Sequence, residues 1–171
     1  LYSSENPLFV GEYHQALKDS FLMADFGYTE GYKKTNSKKQ KGAKSHFFSK
    51  YTKSFIGKDN SINDLSINIQ DTSNDKYLKL YKIKSNLVDY NDDVLESSLN
   101  FTHQKEDLFF GLDVSVYETT KESYEDKYEY IIPELTLDKY LFNDEKIGSL
   151  ELQSKFKARS YDTNKLESFF I

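Results

Sequence analysis

Apolar and polar residues alternate one by one through most of this chain. In SINDLSINIQ, Leu65, Ile67 and Ile69 interleave with Ser66, Asn68 and Gln70, with Ile62 ahead of them. In VLESSLNFTHQ, Leu95, Leu99 and Phe101 stand on one parity, and Glu96, Ser98, Asn100, Thr102 and Gln104 on the other. LFFGLDVSVYE sets Leu108, Phe110, Leu112, Val114 and Val116 against Phe109, Gly111, Asp113, Ser115 and Tyr117. GSLELQSKFKARS sets Leu150, Leu152, Phe156 and Ala158 against Glu151, Gln153, Lys155, Lys157 and Arg159. YEYIIPELTLDKY sets Ile131, Pro133, Leu135 and Leu137 against Tyr130, Ile132, Glu134, Thr136 and Asp138. Side chains alternate across a strand, so each segment predicts a strand with one apolar and one wet face.

Three further segments are less regular. FVGEYHQ pairs Phe9, Gly11 and Tyr13 against Glu12 and His14, with Val10 on the polar parity. FLMADFGY pairs Leu22, Ala24, Phe26 and Tyr28 against Asp25 and Gly27, with Phe21 and Met23 on the polar parity. In HFFSKYTKSF, Phe47, Tyr51 and Phe55 share a parity with Ser49 and Lys53. None of these windows has the i, i+3, i+4, i+7 spacing of an amphipathic helix. KYLKLYKIKSNLV, residues 76–88, admits a short helix inside a loop.

The connections fall into two sizes. LKDS, GKDN, QKED and FNDE are tight, whereas residues 30–44 and 72–93 are long and TTKESYED is intermediate. YDTN at 161–164 is short and breaks the rule. In an antiparallel meander, alternate connections lie at opposite ends. Short turns at one end, long loops at the other and strands with one consistently polar face are the pattern of outer-membrane barrels. A lipocalin-type barrel also meanders, but its interior is apolar. The fold expected is therefore all-β: an antiparallel up-and-down meander of about eight to nine strands, a segment of a transmembrane β-barrel spanning residues 1–171. The chain stops at KLESFFI inside a strand pattern, and an open edge is not viable in lipid, so the sequence reads as part of a longer barrel.

Composition changes this picture little. Aromatics are 16% of residues, all Tyr and Phe, which suits an interfacial girdle. Mean hydropathy of -0.73 has a soluble look, but a barrel hides its apolar signal in every second residue. The net charge of -5 does not favour nucleic acid, and the absence of cysteine removes disulfides and thiolate metal sites.

Candidate chemistry is sparse. KKTNSKKQKGAK, residues 33–44, carries Lys33, Lys34, Lys38, Lys39, Lys41 and Lys44; it can meet phosphates, though a charge run of this kind is first a solvated loop. It has no interleaved aromatics for stacking bases. His14, His46 and His103 stand on separate strands without ligand spacing, so no metal or cofactor is expected. No nucleophile elbow occurs, and the paired acids read as lumen lining, so no enzyme is expected. Glu12, Asp25, Asp113, Glu134, Glu151, Lys155 and Arg159 are the candidates to face a wet lumen. Pro133 removes a ladder donor in mid-strand, which predicts a bulge.

The runs ENPLFVGEYHQA, DFGYTEGYKKT, KSHFFSKYTK, SNDKYLKLYKIKSNLVDYNDDVLESSLNFTH and KYEYIIPELTLDKYLF resemble the LptD family in its alphaproteobacterial form. These are lipopolysaccharide-assembly proteins of the Gram-negative outer membrane. The likeness covers essentially the whole chain and rests on texture, not on an invariant motif. It implies a stretch of early barrel strands in the cell outer membrane, forming barrel wall and hydrophilic lumen. The partners it implies are lipopolysaccharide, an LptE-type plug lipoprotein and a periplasmic lipopolysaccharide bridge reached through domains outside these residues. Two other readings of the pattern stay open: a porin or other outer-membrane transport barrel, and a soluble β-sandwich surface-binding module.

Overall fold

The computed structural model describes residues 7–30, 43–121, 127–161 and 166–170. Among these residues nine strands follow in chain order: β1 (Leu8–Ala16), β2 (Ser20–Glu30), β3 (Ala43–Ile56), β4 (Ile62–Thr72), β5 (Val94–Lys105), β6 (Leu108–Thr119), β7 (Tyr128–Asp144), β8 (Gly148–Tyr161) and β9 (Leu166–Phe170). A short helix, α1 (Tyr77–Tyr81), lies between β4 and β5, within the segment whose spacing admits one. The strands form a single sheet in sequence order, and every neighbouring pair is antiparallel. The up-and-down meander expected from the alternation is the observed topology. Most of the basic stretch 33–44, and most of the YDTN connection, lie outside the described residues.

The tight connections use backbone that few residues adopt. Asn60 sits at φ 61 in the β3–β4 turn, closed by the Gly57 amide donating to the Ser61 carbonyl at 2.7 Å. Asparagine tolerates the left-handed region because its short amide bonds locally. Gly148, at φ 106 where β8 begins, occupies backbone that disfavours a side chain.

Register fixes the faces. Residues directly opposite in an antiparallel pair project to the same side. On one face Gly11 meets Phe26, Phe26 meets Phe47, Tyr51 meets Ile67, Ile67 meets Leu99, Leu99 meets Val114, and Leu112 meets Leu135. The other face carries Glu12 opposite Asp25, Thr52 opposite Ser66, Ser98 opposite Ser115 and Asp113 opposite Glu134.

β7 departs from simple alternation. The β6–β7 register shifts between Asp113 and Ser115, and the β7–β8 register shifts between Ile131 and Glu134. The residues left out are Ile132 and Pro133, joined by a cis peptide bond. Pro133 has no amide to give the ladder, and the bulge expected from its sequence sits there. The bulge inverts parity on its far side, which corrects the assignment above. Ile131 lies opposite Ser115 and Arg159, on the polar face, and Tyr130 lies opposite Val116, on the apolar one.

The buried core is small: Phe48, Tyr77, Leu78, Ile83, Val88 and Leu95. It gathers where the β4–β5 connection packs against one end of the sheet. Elsewhere the apolar face is bare, with Phe26 53%, Phe47 45% and Leu152 45% exposed.

Candidate functional site

The polar face is the candidate site, and it has two differently built halves. The first runs from β1 to β5 beneath the β4–β5 connection. On β3, the parity that carries Lys44, His46 and Phe48 is the polar one, so two aromatic rings stand on a wet face. They are covered by α1. The His46 ring stacks on Phe48 at 4.7 Å and lies 5.6 Å from the Tyr77 ring. His46 Nε2 is 3.1 Å from Asp25 Oδ1, and His46 Nδ1 is 3.3 Å from the Tyr77 hydroxyl. Asp25, His46 and Tyr77 are all buried. Burial pushes the Tyr77 phenol up to about 12, helped by Tyr81 and Asp25 nearby.

β4 and β5 separate at this end to admit the connection. Their ladder stops at Asn68 opposite Ser98, although β4 continues to Thr72. Side chains take over the backbone groups left behind. Asn68 Nδ2 donates to the Glu96 carbonyl at 2.8 Å, the Glu96 amide donates to Gln70 Oε1 at 2.8 Å, and the Gln70 amide donates to Ser97 Oγ at 3.0 Å. Backbone groups withdrawn from water must find partners, and here the Asn68 and Gln70 amides and the Ser97 hydroxyl supply them. Below lies a cavity of about 700 Å³, lined from the wall by Phe21, Met23, Lys50, Asn68, Ser98 and Asn100 among others, and from the connection by Asn86 and Leu87.

The second half, on β6 to β8, is charged and ion-paired. Glu134 accepts Lys155 at 2.5 Å and Lys157 at 2.8 Å. Arg159 Nε donates to Glu129 at 2.6 Å, and Asn100 Nδ2 donates to Asp113 at 2.5 Å. Where the strands end, Lys127 binds Glu118 at 2.9 Å and Asp75 at 3.1 Å, which together hold its ammonium above the ordinary lysine range. Lys79 and Lys121 both bind Asp93 and keep its carboxyl low.

All seven residues singled out in the sequence lie on this one face. Glu12 accepts Asn86 Nδ2 at 2.8 Å and contacts His14 at 2.6 Å; Glu151 accepts Gln153 at 3.1 Å. Asp113, Glu134, Lys155 and Arg159 fall in the ion-paired half, and Asp25 in the buried cluster. The histidines do not converge: His14 is beside Glu12, His46 beside Asp25, and His103 Nδ1 is 2.7 Å from Asn63 Oδ1. Among the described residues no group of three metal-binding side chains occurs. Sequence reasoning missed Tyr77, Glu129 and Lys127. The available signal was Phe48: an aromatic on the polar parity of β3 implies an element covering it.

No protein-family model, no curated protein and no solved structure matches this chain.

Proposed function

We propose that this chain is a stretch of wall in a transmembrane β-barrel of the cell outer membrane, and that the barrel is a lipopolysaccharide-assembly translocon of the LptD kind. The observation that carries the membrane reading is the bare apolar face. On that face Phe26 is 53%, Phe47 45%, Ile69 40% and Leu152 45% exposed. Among the described residues no second layer covers the apolar face of the single sheet, which fits a lipid environment. The lipopolysaccharide reading is supported by the family resemblance of the strand sequences.

In this reading the segment is a wall and not a catalyst. Phe26, Ile67, Leu112 and Leu135 face lipid. Glu12, Asp113, Glu134, Glu151, Lys155 and Arg159 face a hydrophilic lumen, where lipopolysaccharide passes and an LptE-type plug has polar groups to rest on, while Asp25, on the same face, is buried beneath α1. The periplasmic bridge acts through domains outside these residues. The tight turns lie in the periplasm and the long connections outside.

Single cysteines at Lys58, in a tight turn, and at Lys121, in the intermediate β6–β7 connection at the end shared with the long ones, test this in the intact protein. A membrane-impermeant maleimide applied to whole cells labels Lys121→Cys and spares Lys58→Cys. Labelling of both marks a soluble surface domain, and the reverse pattern inverts the topology. Depletion of the protein separates the two parts of the proposal. Loss of surface lipopolysaccharide supports assembly; unchanged lipopolysaccharide with altered solute uptake marks another transport barrel.

A further inference from the structure

The β4–β5 connection, residues 73–93, lies along the polar face instead of projecting from the end of the sheet. It is tied down at both sides and at its centre. On one side Asn86 reaches Glu12 on the edge strand β1. On the other, Asp75 and Asp93 engage Lys127 and Lys121. In the middle, α1 inserts Tyr77 against His46, and Leu78, Ile83 and Val88 join Phe48 and Leu95 in the buried core. The exposed ties contribute little, because surface ion pairs are worth about 0–1 kcal/mol. The buried centre therefore controls whether the segment stays down. It also depends on a glycine: a Cβ at Gly27 would stand 2.4 Å from the His46 ring and 2.8 Å from the Tyr77 hydroxyl.

We infer that residues 73–93 form an inward strap that narrows the passage along the polar face, latched by Tyr77 on His46 and Asp25, and that releasing the latch widens that passage. The inference rests on the reading of this face as an aqueous lumen. Asn86 and Leu87 of the strap close one side of the 700 Å³ cavity whose other walls belong to β2 through β5. Lifting the strap joins that cavity to the open ion-paired half of the face. Apolar burial supplies adhesion, whereas the hydrogen-bonded Asp25–His46–Tyr77 series fixes where α1 sits, since a displaced strap leaves buried polar groups unpaired.

The test uses the intact protein with Gly27→Ala and, separately, Tyr77→Ala. Two measurements are made: trypsin cleavage at Lys82 and Lys84 in detergent, and flux of neutral sugars of increasing size through reconstituted vesicles. The expected result is cleavage faster by roughly tenfold, as local opening becomes easier, and a higher size limit for flux. Unchanged cleavage overturns the latch. Faster cleavage with unchanged flux overturns the constriction. Tyr77→Phe, which keeps the ring and removes the hydroxyl bonded to His46, replaces either variant that fails to fold, with a smaller rise in both measurements expected and no change overturning the latch. Asn86→Ala, which removes one exposed tie, is the control. For it little or no change in either measurement is expected, and a rise as large as that of a buried-centre variant overturns the buried latch. Failure of the lumen reading looks different: wild-type protein would then support no flux at all, while the variants still cleave faster.

Discussion

Leu112 and Asp113 are neighbours in the chain and belong to different surroundings. Leu112 lies opposite Phe101 and Leu135, and the face they share presents large apolar groups outward. Asp113 lies opposite Asn100 and Glu134, and its carboxylate accepts from Asn100. The two faces come from the same strands one residue out of phase. One is stabilised only if its surroundings are apolar; the other needs water or a partner for every charge. The faces should therefore fail under opposite substitutions.

The largest effect separates them directly. Leu112→Arg, near the middle of β6 on the apolar face, should cost about 2–4 kcal/mol in a membrane barrel, read as lost heat-modifiable folded protein or a lower denaturation midpoint. Gln153→Arg, exposed on the polar face of β8, should cost almost nothing. Equal losses would break the comparison. Ser115 is a poorer control despite its polar parity, because it is buried where β6 passes the bulge and faces Ile131.

A smaller effect probes the charged half of the polar face. Glu134→Gln removes the acceptor shared by Lys155 and Lys157. The expected loss is about 1 kcal/mol or less, and it should shrink as salt screens the wild-type pairs. A loss that salt does not reduce would mean that Glu134 acts through packing.

The smallest effect concerns the buried half and its pH dependence. The Tyr77 phenol is raised from its ordinary 10.0 to about 12, first by burial. A raised pKa contributes stability that is complete below the unfolded value near 10 and is lost as pH rises through about 12. Trypsin access to the strap should therefore rise between these values. In Tyr77→Phe that component of the rise should be absent, with the remaining alkaline change due to other groups. Identical profiles for the two proteins would remove Tyr77 from the latch.

Much of this architecture was legible as pattern. Alternation in LFFGLDVSVYE and GSLELQSKFKARS assigned both faces of β6 and β8, because period two follows from backbone geometry alone. Pro133 marked its bulge because it lacks an amide donor. What alternation could not convey was the consequence of that bulge: one inserted residue reverses the parity on one side of it relative to the other, so Ile131 and Tyr130, just before it, exchanged faces while Glu134 and Leu135 kept theirs. The pairing of Glu134 with both Lys155 and Lys157 was equally hidden, since it depends on the β7–β8 register.

By itself, then, the sequence determined an antiparallel meander with one apolar and one polar face. Those properties are set by neighbouring residues and short turns. The path of residues 73–93 was decided only by the tertiary structure. Composition there is compatible with a solvated loop, and a helix of five residues has no independent stability. It takes its place because His46 and Asp25, 31 and 21 residues apart from their respective partners, are brought together with Tyr77 by strand pairing. Gly27 leaves the space for that contact. Such an arrangement exists only once the sheet has formed.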